Sequence, residues 1–164
     1  MVKLHLGCGK RDFGPEWVHI DQADFPHIRY KDVTRLPYGD SEVDLIYCSH
    51  LIAYFDREQI KPILKEWRRV LKRKGVLRIA TPDWNVLRRM KDPMLGPLYG
   101  KMSDPPIYHK TVYNMGGLRS VLQEAGFKNV RRYDHTLTDH AQFDDHSAAY
   151  HNGVLISLNV ECYV

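Results

Sequence analysis

Residues 4–9 read Leu4-His5-Leu6-Gly7-Cys8-Gly9, an apolar run that passes directly into a Gly-x-Gly loop. With the preceding lysine, the run predicts a β-strand over Lys3–Leu6. Glycine at a strand exit permits tight-turn dihedrals and lets a ligand approach the main chain closely. In open parallel sheets, ligands bind beyond the carboxyl ends of the strands. The stretch therefore predicts a ligand-binding loop, although two spaced glycines also serve any sharp strand exit.

Strand and helix patterns alternate along the 164 residues, which favours a single α/β domain over residues 1–164 with helices on both faces of a mostly parallel sheet. Residues 10–16 separate the first strand from a second at Trp17–Ile20, and a crossover helix usually needs at least ~10 residues. We therefore expect the first helix to be truncated to a turn or two. Further strands are predicted near Ile28–Lys31, at Val43–Cys48, at Val76–Ala80, near Val130–Tyr133 and, as an antiparallel last strand, at Val154–Val160.

Helical spacing of apolar residues predicts two main helices. The first has its apolar face at Ile60, Ile63, Leu64, Trp67, Val70 and Leu71 and is expected to end near Lys74, before Gly75. The second carries Leu118, Val121, Leu122 and Ala125 and stops at Gly126. Pro62 requires either a helix start near it or a kink. An irregular stretch with Pro93, Pro97, Pro105 and Pro106 lies between the two helices.

Two acidic residues follow the second and third strands. Asp21 ends the second strand, where a carboxylate can accept hydrogen bonds from both hydroxyls of a ribose. Asp32 follows the third strand, where its carboxylate can accept a hydrogen bond from an adenine amino group. Together with the glycine loop, they indicate an adenosine-containing ligand, although each alone also suits a turn cap. A nicotinamide dinucleotide fits poorly, because its fingerprint needs a third glycine where Asp12 stands and an acid about 20 residues on.

These motifs resemble the class I S-adenosylmethionine-dependent methyltransferases, above all a small group whose first strand reads Leu-Asn-Leu-Gly-Cys-Gly and whose second ends Ile-Asp. The resemblance extends over nearly the whole chain, through residues 35–44, 69–77 and 122–127. It implies a Rossmann-like sheet that binds S-adenosylmethionine. The implied cofactor-binding residues are Gly7, Cys8, Gly9, Asp21, Asp32, Val33 and Ser49. The glycines would lie at the methionine part, Asp21 at the ribose, Asp32 and the Val33 amide at the adenine, and Ser49 over the methionine end.

The chain departs from that family at two places. Relatives often carry Ser-His-x-Leu-Glu-His after the fourth strand, whereas residues 49–54 read Ser-His-Leu-Ile-Ala-Tyr, so any role of the Glu-His pair is absent. The helix that many methyltransferases place before the first strand is also missing from the sequence. The cofactor would then be less enclosed or covered by a partner subunit, which leaves a homo-oligomer open.

Methyl transfer requires the donor and the nucleophile to be positioned, and a base helps when the nucleophile is a hydroxyl. His50 and His109 are the preferred catalytic candidates; each also suits a hydrogen-bonded loop histidine. Further candidates are Asp83, His140 and Asp145. The segment from Asp134 to His151 is rich in acids and histidines, and its histidine spacing fits no standard metal-ligand pattern, so no metal is predicted.

We expect methyl transfer to a hydroxyl of a small polar or sugar-like acceptor, with the Asp134–His151 segment and the stretch from Met94 to Pro106 as the walls of its pocket. The carboxylates of Asp139, Asp144 and Asp145 would repel a phosphate backbone. The alternatives are a nucleic-acid methyltransferase, against which the modest net charge of +4 argues, and a non-catalytic adenosyl-ligand-binding module. Without an apolar run of ~20 residues or a signal peptide, the sequence predicts a cytoplasmic protein with no membrane partner.

Overall fold

The computed structural model describes residues 1–90, 95–100 and 107–164. Within these ranges the strands are β1 (Lys3–Leu6), β2 (Trp17–Ile20), β3 (Ile28–Tyr30), β4 (Val43–Ser49), β5 (Leu71–Pro82), β6 (Lys128–Arg132), β7 (Tyr150–His151), β8 (Val154–Leu155) and β9 (Ser157–Tyr163). The α-helices there are α1 (Ile60–Val70), α2 (Trp84–Leu87), α3 (Leu95–Tyr99) and α4 (Met115–Glu124), and short 3-10 helices cover Ile52–Tyr54, His135–Leu137 and His146–Ala148. No helix of the described ranges is long and apolar enough to cross a membrane.

One sheet of seven strands has the order β3-β2-β1-β4-β5-β9-β6, and β7 and β8 form a separate hairpin. The neighbours from β3 to β5 pair in parallel, whereas β9 runs antiparallel to both β5 and β6. This confirms the predicted α/β fold with a mostly parallel sheet and an antiparallel last strand. Because β1 to β5 are parallel, their carboxyl ends lie along a single edge of the sheet.

The connections on the β1–β3 side of the sheet are short and contain no helix. Residues 7–16, which the structure describes completely, form only turns between β1 and β2, so the predicted truncation of the first helix is confirmed. Residues 21–27 and 31–42, also fully described, connect the next strands without a helix. One face of this half of the sheet is therefore left to be covered by loops.

The other face, which we call the helical face, packs against α1 and α4. Its sheet residues alternate with those of the opposite face, as the two-residue period of a strand requires. The buried residues of this core include Leu4, Leu6, Ile20, Ile46, Cys48, Leu77, Ile79, Leu158 and Val160 from the sheet, with Leu64, Trp67, Leu118 and Leu122 from the helices. Pro62 lies in the first turn of α1, where its missing N–H costs no intrahelical hydrogen bond.

The prediction that the first main helix extends to near Lys74 is wrong. α1 ends at Val70, and β5 begins at once with Leu71, which is extended, fully buried and paired with β4. Burying Leu71 on the sheet outweighs the helix propensity of the basic residues that follow it. Gly75 does not end a helix but lies within β5, where the strand is irregular. A side chain does not fit there, because a Cβ would lie 2.8 Å from the carbonyl oxygen of Lys72.

The predicted last strand, Val154–Val160, is divided into two. Leu158 and Val160 face the helical core, but they belong to β9, which continues to Tyr163. Val154 lies in the β7–β8 hairpin, and 48% of its surface is exposed. The prediction therefore located the core strand correctly but missed the break that precedes it.

The opposite face carries polar and aromatic side chains, and we call it the loop face. Its strand residues include Lys3, His5, Trp17, His19, Tyr47, Arg78 and Asn159. Two loops cover it: the β1–β2 connection supplies Phe13, and segment 134–149 supplies Phe143. The ring of Phe13 stacks on that of His5 at 4.0 Å between centroids and on that of Phe143 at 4.4 Å. Stacked rings and two loops thus take the place of main helices on this face, so the prediction of helices on both faces is wrong for the described residues.

Segment 134–149 is fastened to the loop face by charge, stacking and a buried hydrogen bond. Asp139 forms ion pairs with Lys3 at 2.7 Å and with Arg78 at 3.1 Å. The His140 ring lies 4.0 Å from that of Tyr47, whose hydroxyl donates to the buried carboxylate of Asp145. Asp139 and Asp145 are thus structural residues, and the prediction that they form an acidic pocket wall is wrong.

Candidate active site

The residues predicted to bind a cofactor lie along the carboxyl edge of the parallel strands. Gly7, Cys8 and Gly9 follow β1, Asp21 follows β2, Asp32 and Val33 come shortly after β3, and Ser49 is the last residue of β4. Since β3, β2, β1 and β4 are consecutive neighbours, these positions succeed one another across the edge. The sheet order therefore assembles one continuous site from residues that are far apart in sequence.

The two glycines meet different requirements. Both have positive φ angles, +65° at Gly7 and +55° at Gly9, which side chains disfavour. A Cβ at Gly7 would also lie 2.8 Å from Cδ1 of Leu51, so this glycine is fixed by packing within the protein. A Cβ at Gly9 would meet no atom within 4 Å. The main chain at Gly9 therefore faces open space, which a ligand can approach closely.

Asp21 joins the second strand to the glycine loop. Its Oδ2 accepts a hydrogen bond from the Gly9 amide and its Oδ1 accepts one from the Ala23 amide, both at 2.8 Å. The carboxylate is thus both a turn cap and an element fixed beside the open space at Gly9. A carboxylate offers about four acceptor sites, so these two bonds leave capacity for a pair of ligand hydroxyls.

His27 supports the same loop and was missed in the sequence analysis. Its Nε2 lies 3.0 Å from the carbonyl oxygen of Gly9, to which it donates, and 3.9 Å from Sγ of Cys8. Burial, with the nearby charge of Asp21, raises the pKa of the Cys8 thiol to about 12, so Cys8 remains protonated. No motif surrounds His27 in the sequence, and only the fold brings it to the loop.

Asp32 and Val33 lie in a loop that is anchored to α1. The Asp32 Oδ1 atom accepts from both the amide and the hydroxyl of Thr34, at 2.7 and 2.6 Å, and the hydroxyl bond lowers the pKa of this carboxyl group. Val33 is buried, and its carbonyl oxygen accepts from Trp67 Nε1 at 2.7 Å. Asp32 is therefore exposed, negatively charged and held at a fixed position by the helix behind it.

The two predicted catalytic histidines come together beyond the end of β4. The ring centroids of His50 and His109 are 6.5 Å apart, and a third ring, that of His146 from segment 134–149, lies 4.8 Å from His50. We call these three residues the histidine cluster. Tyr54 flanks it, with its ring 4.7 Å from that of His109. His50 has a φ of +56°, so the turn after β4 is strained where it presents the imidazole.

Hydrogen bonds define the tautomers of the cluster. His109 Nδ1 lies 3.2 Å from the Pro97 carbonyl oxygen and must donate to it, which leaves its Nε2 as an acceptor. The Ser157 hydroxyl donates to the His146 carbonyl oxygen and is therefore an acceptor for Nε2 of His50 at 3.2 Å. His50 consequently carries its lone pair on Nδ1. Two imidazoles of the site thus each present one basic nitrogen.

The cluster is uncharged at neutral pH. Burial, followed by repulsion from His146, His109 and Arg11, lowers the pKa of His50 to about 3. Burial also lowers the pKa of His109 and of His146. Neutral imidazoles can accept a proton, whereas imidazolium ions cannot.

The other catalytic candidates lie elsewhere. Asp83 is buried, caps α2 through Asn85 and pairs with Arg132 at 2.9 Å. His140 and Asp145 are buried on the loop face. These three predictions are not supported by the geometry, because none of the side chains joins the histidine cluster. The predicted wall from Met94 to Pro106 lies largely outside the described residues. Among those described, no three His, Cys, Asp or Glu side chains are arranged to hold a metal ion.

Comparison with known proteins agrees with this geometry. Residues 4–79 match the family described as "Methyltransferase domain", a range that includes the glycine loop, Asp21, Asp32 and Ser49. No curated protein matches the chain.

Solved structures share the whole fold. A methyltransferase dependent on S-adenosylmethionine from Archaeoglobus fulgidus has a TM-score of 0.67 at 16% identity, covering 99% of this chain and 85% of that one. Another, from Thermotoga maritima, has a TM-score of 0.60 at 17% identity, covering 99% and 81%. Human N-acetylserotonin methyltransferase, solved in complex with S-adenosylmethionine, has a TM-score of 0.62 at 14% identity, covering 99% and 47%. The chain thus has the fold of the S-adenosylmethionine-dependent methyltransferases.

Proposed function

We propose that the protein is an S-adenosylmethionine-dependent methyltransferase. The observation that carries the proposal is the succession, along one sheet edge, of the open glycine loop, the Asp21 carboxylate, the Asp32 loop and the end of β4. The match over residues 4–79 supports it, since that range supplies every one of these elements.

The residues fit the cofactor. The open space at Gly9 accepts a ligand against the main chain, and the Asp21 carboxylate beside it can accept two ribose hydroxyls. The Asp32 carboxylate can accept a hydrogen bond from an adenine amino group. The hydroxyl oxygen of Ser49 is buried and has no hydrogen-bond partner among the described residues, so it is available to a ligand at the end of β4. When bound, the cofactor supplies an electrophilic methyl group.

We propose a hydroxyl of a small polar or sugar-like molecule as the acceptor, with His109 or His50 as the base. The support is the pair of neutral imidazoles next to the glycine loop, each with one nitrogen that can accept a proton. The pKa of about 3 makes His50 the weak base of the two, which favours His109. Of the three acidic residues predicted at the pocket, Asp139 is neutralised and Asp145 is buried, so only the exposed Asp144 still supports this acceptor. A base within hydrogen-bond reach of a hydroxyl typically contributes 10²–10⁴-fold to the rate.

Calorimetry tests the cofactor. Wild-type protein should bind S-adenosylmethionine and S-adenosylhomocysteine and not NAD; tight NAD binding without a response to S-adenosylhomocysteine would overturn the proposal. A transfer assay with tritiated S-adenosylmethionine then compares nucleotide sugars, small polar acids, tRNA and duplex DNA. Transfer to tRNA or DNA alone would show a nucleic-acid methyltransferase, and binding without any transfer would show a non-catalytic ligand-binding module.

Asp21→Ala should weaken S-adenosylhomocysteine binding tenfold to a hundredfold, because each hydrogen bond to a carboxylate contributes roughly 1.5–3 kcal/mol. Asp24→Ala is the matched control: this exposed carboxylate lies three residues on and pairs only with the exposed Lys31 among the described residues. Isothermal titration of both variants measures the difference. Equal affinities would mean that Asp21 is a turn cap only.

A further inference from the structure

Arg11 connects the glycine loop to the histidine cluster. Its main-chain amide donates to the Cys8 carbonyl oxygen at 3.1 Å, which closes the turn after Gly9. Its side chain crosses to segment 134–149, where Nε donates to the Asp144 carbonyl oxygen at 2.9 Å. Nη2 lies 3.4 Å from Nε2 of His146, which must accept because a guanidinium has only donors. Arg11 thus lies at the junction of the two parts of the candidate site, the glycine loop and the histidine cluster.

The charge of Arg11 has no carboxylate partner in the part of the chain that the structure describes. Among the described residues, no carboxylate oxygen lies within 4 Å of its guanidinium group, whose partners are a carbonyl group and a neutral ring. Some arginines pair with carboxylates, as Arg69 does with Glu66 and Asp40. Others, such as Arg68 and Arg119, resemble Arg11 in that their hydrogen bonds among the described residues go to carbonyl groups.

Most of the donors of Arg11 have no hydrogen-bond partner within residues 1–90, 95–100 and 107–164. A guanidinium has five N–H donors, of which these contacts use two. The imidazoles of His50, His109 and His146 add no negative charge to the surroundings of the guanidinium group. Such an arginine is suited to bidentate binding of a carboxylate.

We propose that Arg11 binds a carboxylate group at the junction of the glycine loop and the histidine cluster. The inference rests on the proposed function, which places a methyl donor on one side of Arg11 and an acceptor on the other. Two molecules could bring the carboxylate: the donor, through its methionine part, or the acceptor. In both cases a planar carboxylate anion would accept hydrogen bonds from the guanidinium group of Arg11.

Ligands that differ only in the carboxylate-bearing part separate the two sources. S-adenosylhomocysteine carries the amino-acid carboxylate, whereas 5′-methylthioadenosine has the same nucleoside and thioether without it. Acetate, titrated into protein saturated with S-adenosylhomocysteine and followed by histidine ring NMR signals, probes a carboxylate on the acceptor side. Arg11→Gln removes the charge, and Arg11→Lys retains it. Lys10→Gln is the matched control, because it removes a cation from the adjacent exposed position.

A donor carboxylate predicts that Arg11→Gln weakens S-adenosylhomocysteine binding roughly tenfold to a hundredfold, with 5′-methylthioadenosine affinity unchanged. Arg11→Lys should recover part of the loss, and Lys10→Gln should show none. An acceptor carboxylate predicts unchanged affinity for both nucleosides and loss of the acetate response in Arg11→Gln alone. Equal weakening of both nucleosides, or no change in any titration, would overturn the role of Arg11. Failure of wild-type protein to bind either nucleoside would instead overturn the proposed function.

Discussion

The two faces of the sheet differ in how they are built. The helical face buries a continuous apolar core under α1 and α4, whereas the loop face buries histidines, tyrosines and charged groups under two loops. Among the described residues, six buried side-chain polar atoms lack a hydrogen-bond partner: His5 Nδ1, Ser49 Oγ, Thr81 Oγ1, Tyr133 Oη, His140 Nε2 and Asn159 Oδ1. All but Thr81 belong to the loop face.

Because of this difference, the two faces are expected to contribute differently to stability and to function. Apolar burial stabilises a protein without directional requirements, so the helical face depends little on directed polar contacts. The loop face has less apolar area to bury and depends on directed contacts, each of modest net value. It also supplies His146 and the partners of Arg11 to the site. We therefore expect substitutions on the helical face to affect global stability most, and those on the loop face to affect the site as well.

The largest effect is expected for Trp67→Ala on the helical face. Trp67 is fully buried and donates to the Val33 carbonyl oxygen, so its loss leaves a large cavity and an unpaired acceptor. Removing a buried tryptophan costs about 3–5 kcal/mol. Urea unfolding measures the change. Trp67→Phe, which keeps most of the apolar volume, is the control and should cost clearly less; equal losses in both variants would contradict a packing effect.

Asp145→Ala tests the loop face and should destabilise the protein by about 1–3 kcal/mol, because it leaves the buried hydroxyl of Tyr47 without an acceptor. The Ser147 amide also loses its acceptor at 2.7 Å. The double variant with Tyr47→Phe should recover part of the loss, since it removes the stranded donor. Urea unfolding of both single variants and the double variant measures the coupling. Methyl transfer should fall as well, because the segment carries His146; unaltered transfer would separate this face from the site.

Acid should weaken the loop face before it affects the carboxylates. Burial lowers the pKa of His140 to about 4, against an ordinary value of 6.5; the charges of Arg78 and Lys3 add to this, and those of Asp139 and Asp145 oppose it. Between these pH values the unfolded chain binds the proton and the folded protein does not. Stability is therefore lost as pH falls from 6.5 towards 4, by at most about 1.4 kcal/mol per pH unit for each such histidine.

Urea midpoints at pH 7, 6 and 5 measure this slope. His140→Phe keeps a ring against Tyr47 and removes the titrating group, so its stability should depend less on pH over the same range. His5 is the second group with a strongly lowered pKa on this face, also through burial, and its slope should remain in the variant. An identical slope in wild type and variant would show that His140 is not buried in its neutral form.

The smallest effects are expected for ion pairs, and they compare the faces directly. Asp139→Asn removes the partner of Lys3 and Arg78 on the loop face and should cost about 0.2–1 kcal/mol. Glu124→Gln on the helical side removes a single pair with Lys61 at 3.4 Å, in which both side chains are about half exposed, and should cost less. Thermal unfolding at low and high salt distinguishes them. A larger loss for Glu124→Gln would reverse the expected order.

Local patterns predicted much of this molecule. The bounds of β1 and β2 agree with the prediction to the residue, and the apolar face of α1 was identified from its spacing. Burial on the sheet overrode the local pattern at Leu71, where the helix ends early. The Asp134–His151 segment was misread, because its acids and histidines gave no sign that they pack on Lys3 and Tyr47.

The candidate site likewise contains residues that local patterns predicted and residues that they did not. The glycine loop, Asp21, Asp32 and Ser49 were predicted from the sequence because each lies at or shortly after the end of a strand, and strand ends are local features. Arg11, His27 and His146 were not assigned, since their roles depend on partners far away in the chain. Arg11 contacts residues 133 and 135 positions further along.

The sequence by itself determined the order of strands and helices, the apolar faces and the edge of the proposed ligand site, because hydrophobic periodicity and glycine dihedrals act over a few residues. Only the tertiary structure decided which loop covers the second face, where the histidines meet and which groups the Arg11 side chain contacts. Charges and hydrogen bonds pair by proximity in space, and proximity between segments more than a hundred residues apart is set by the packing of the whole sheet.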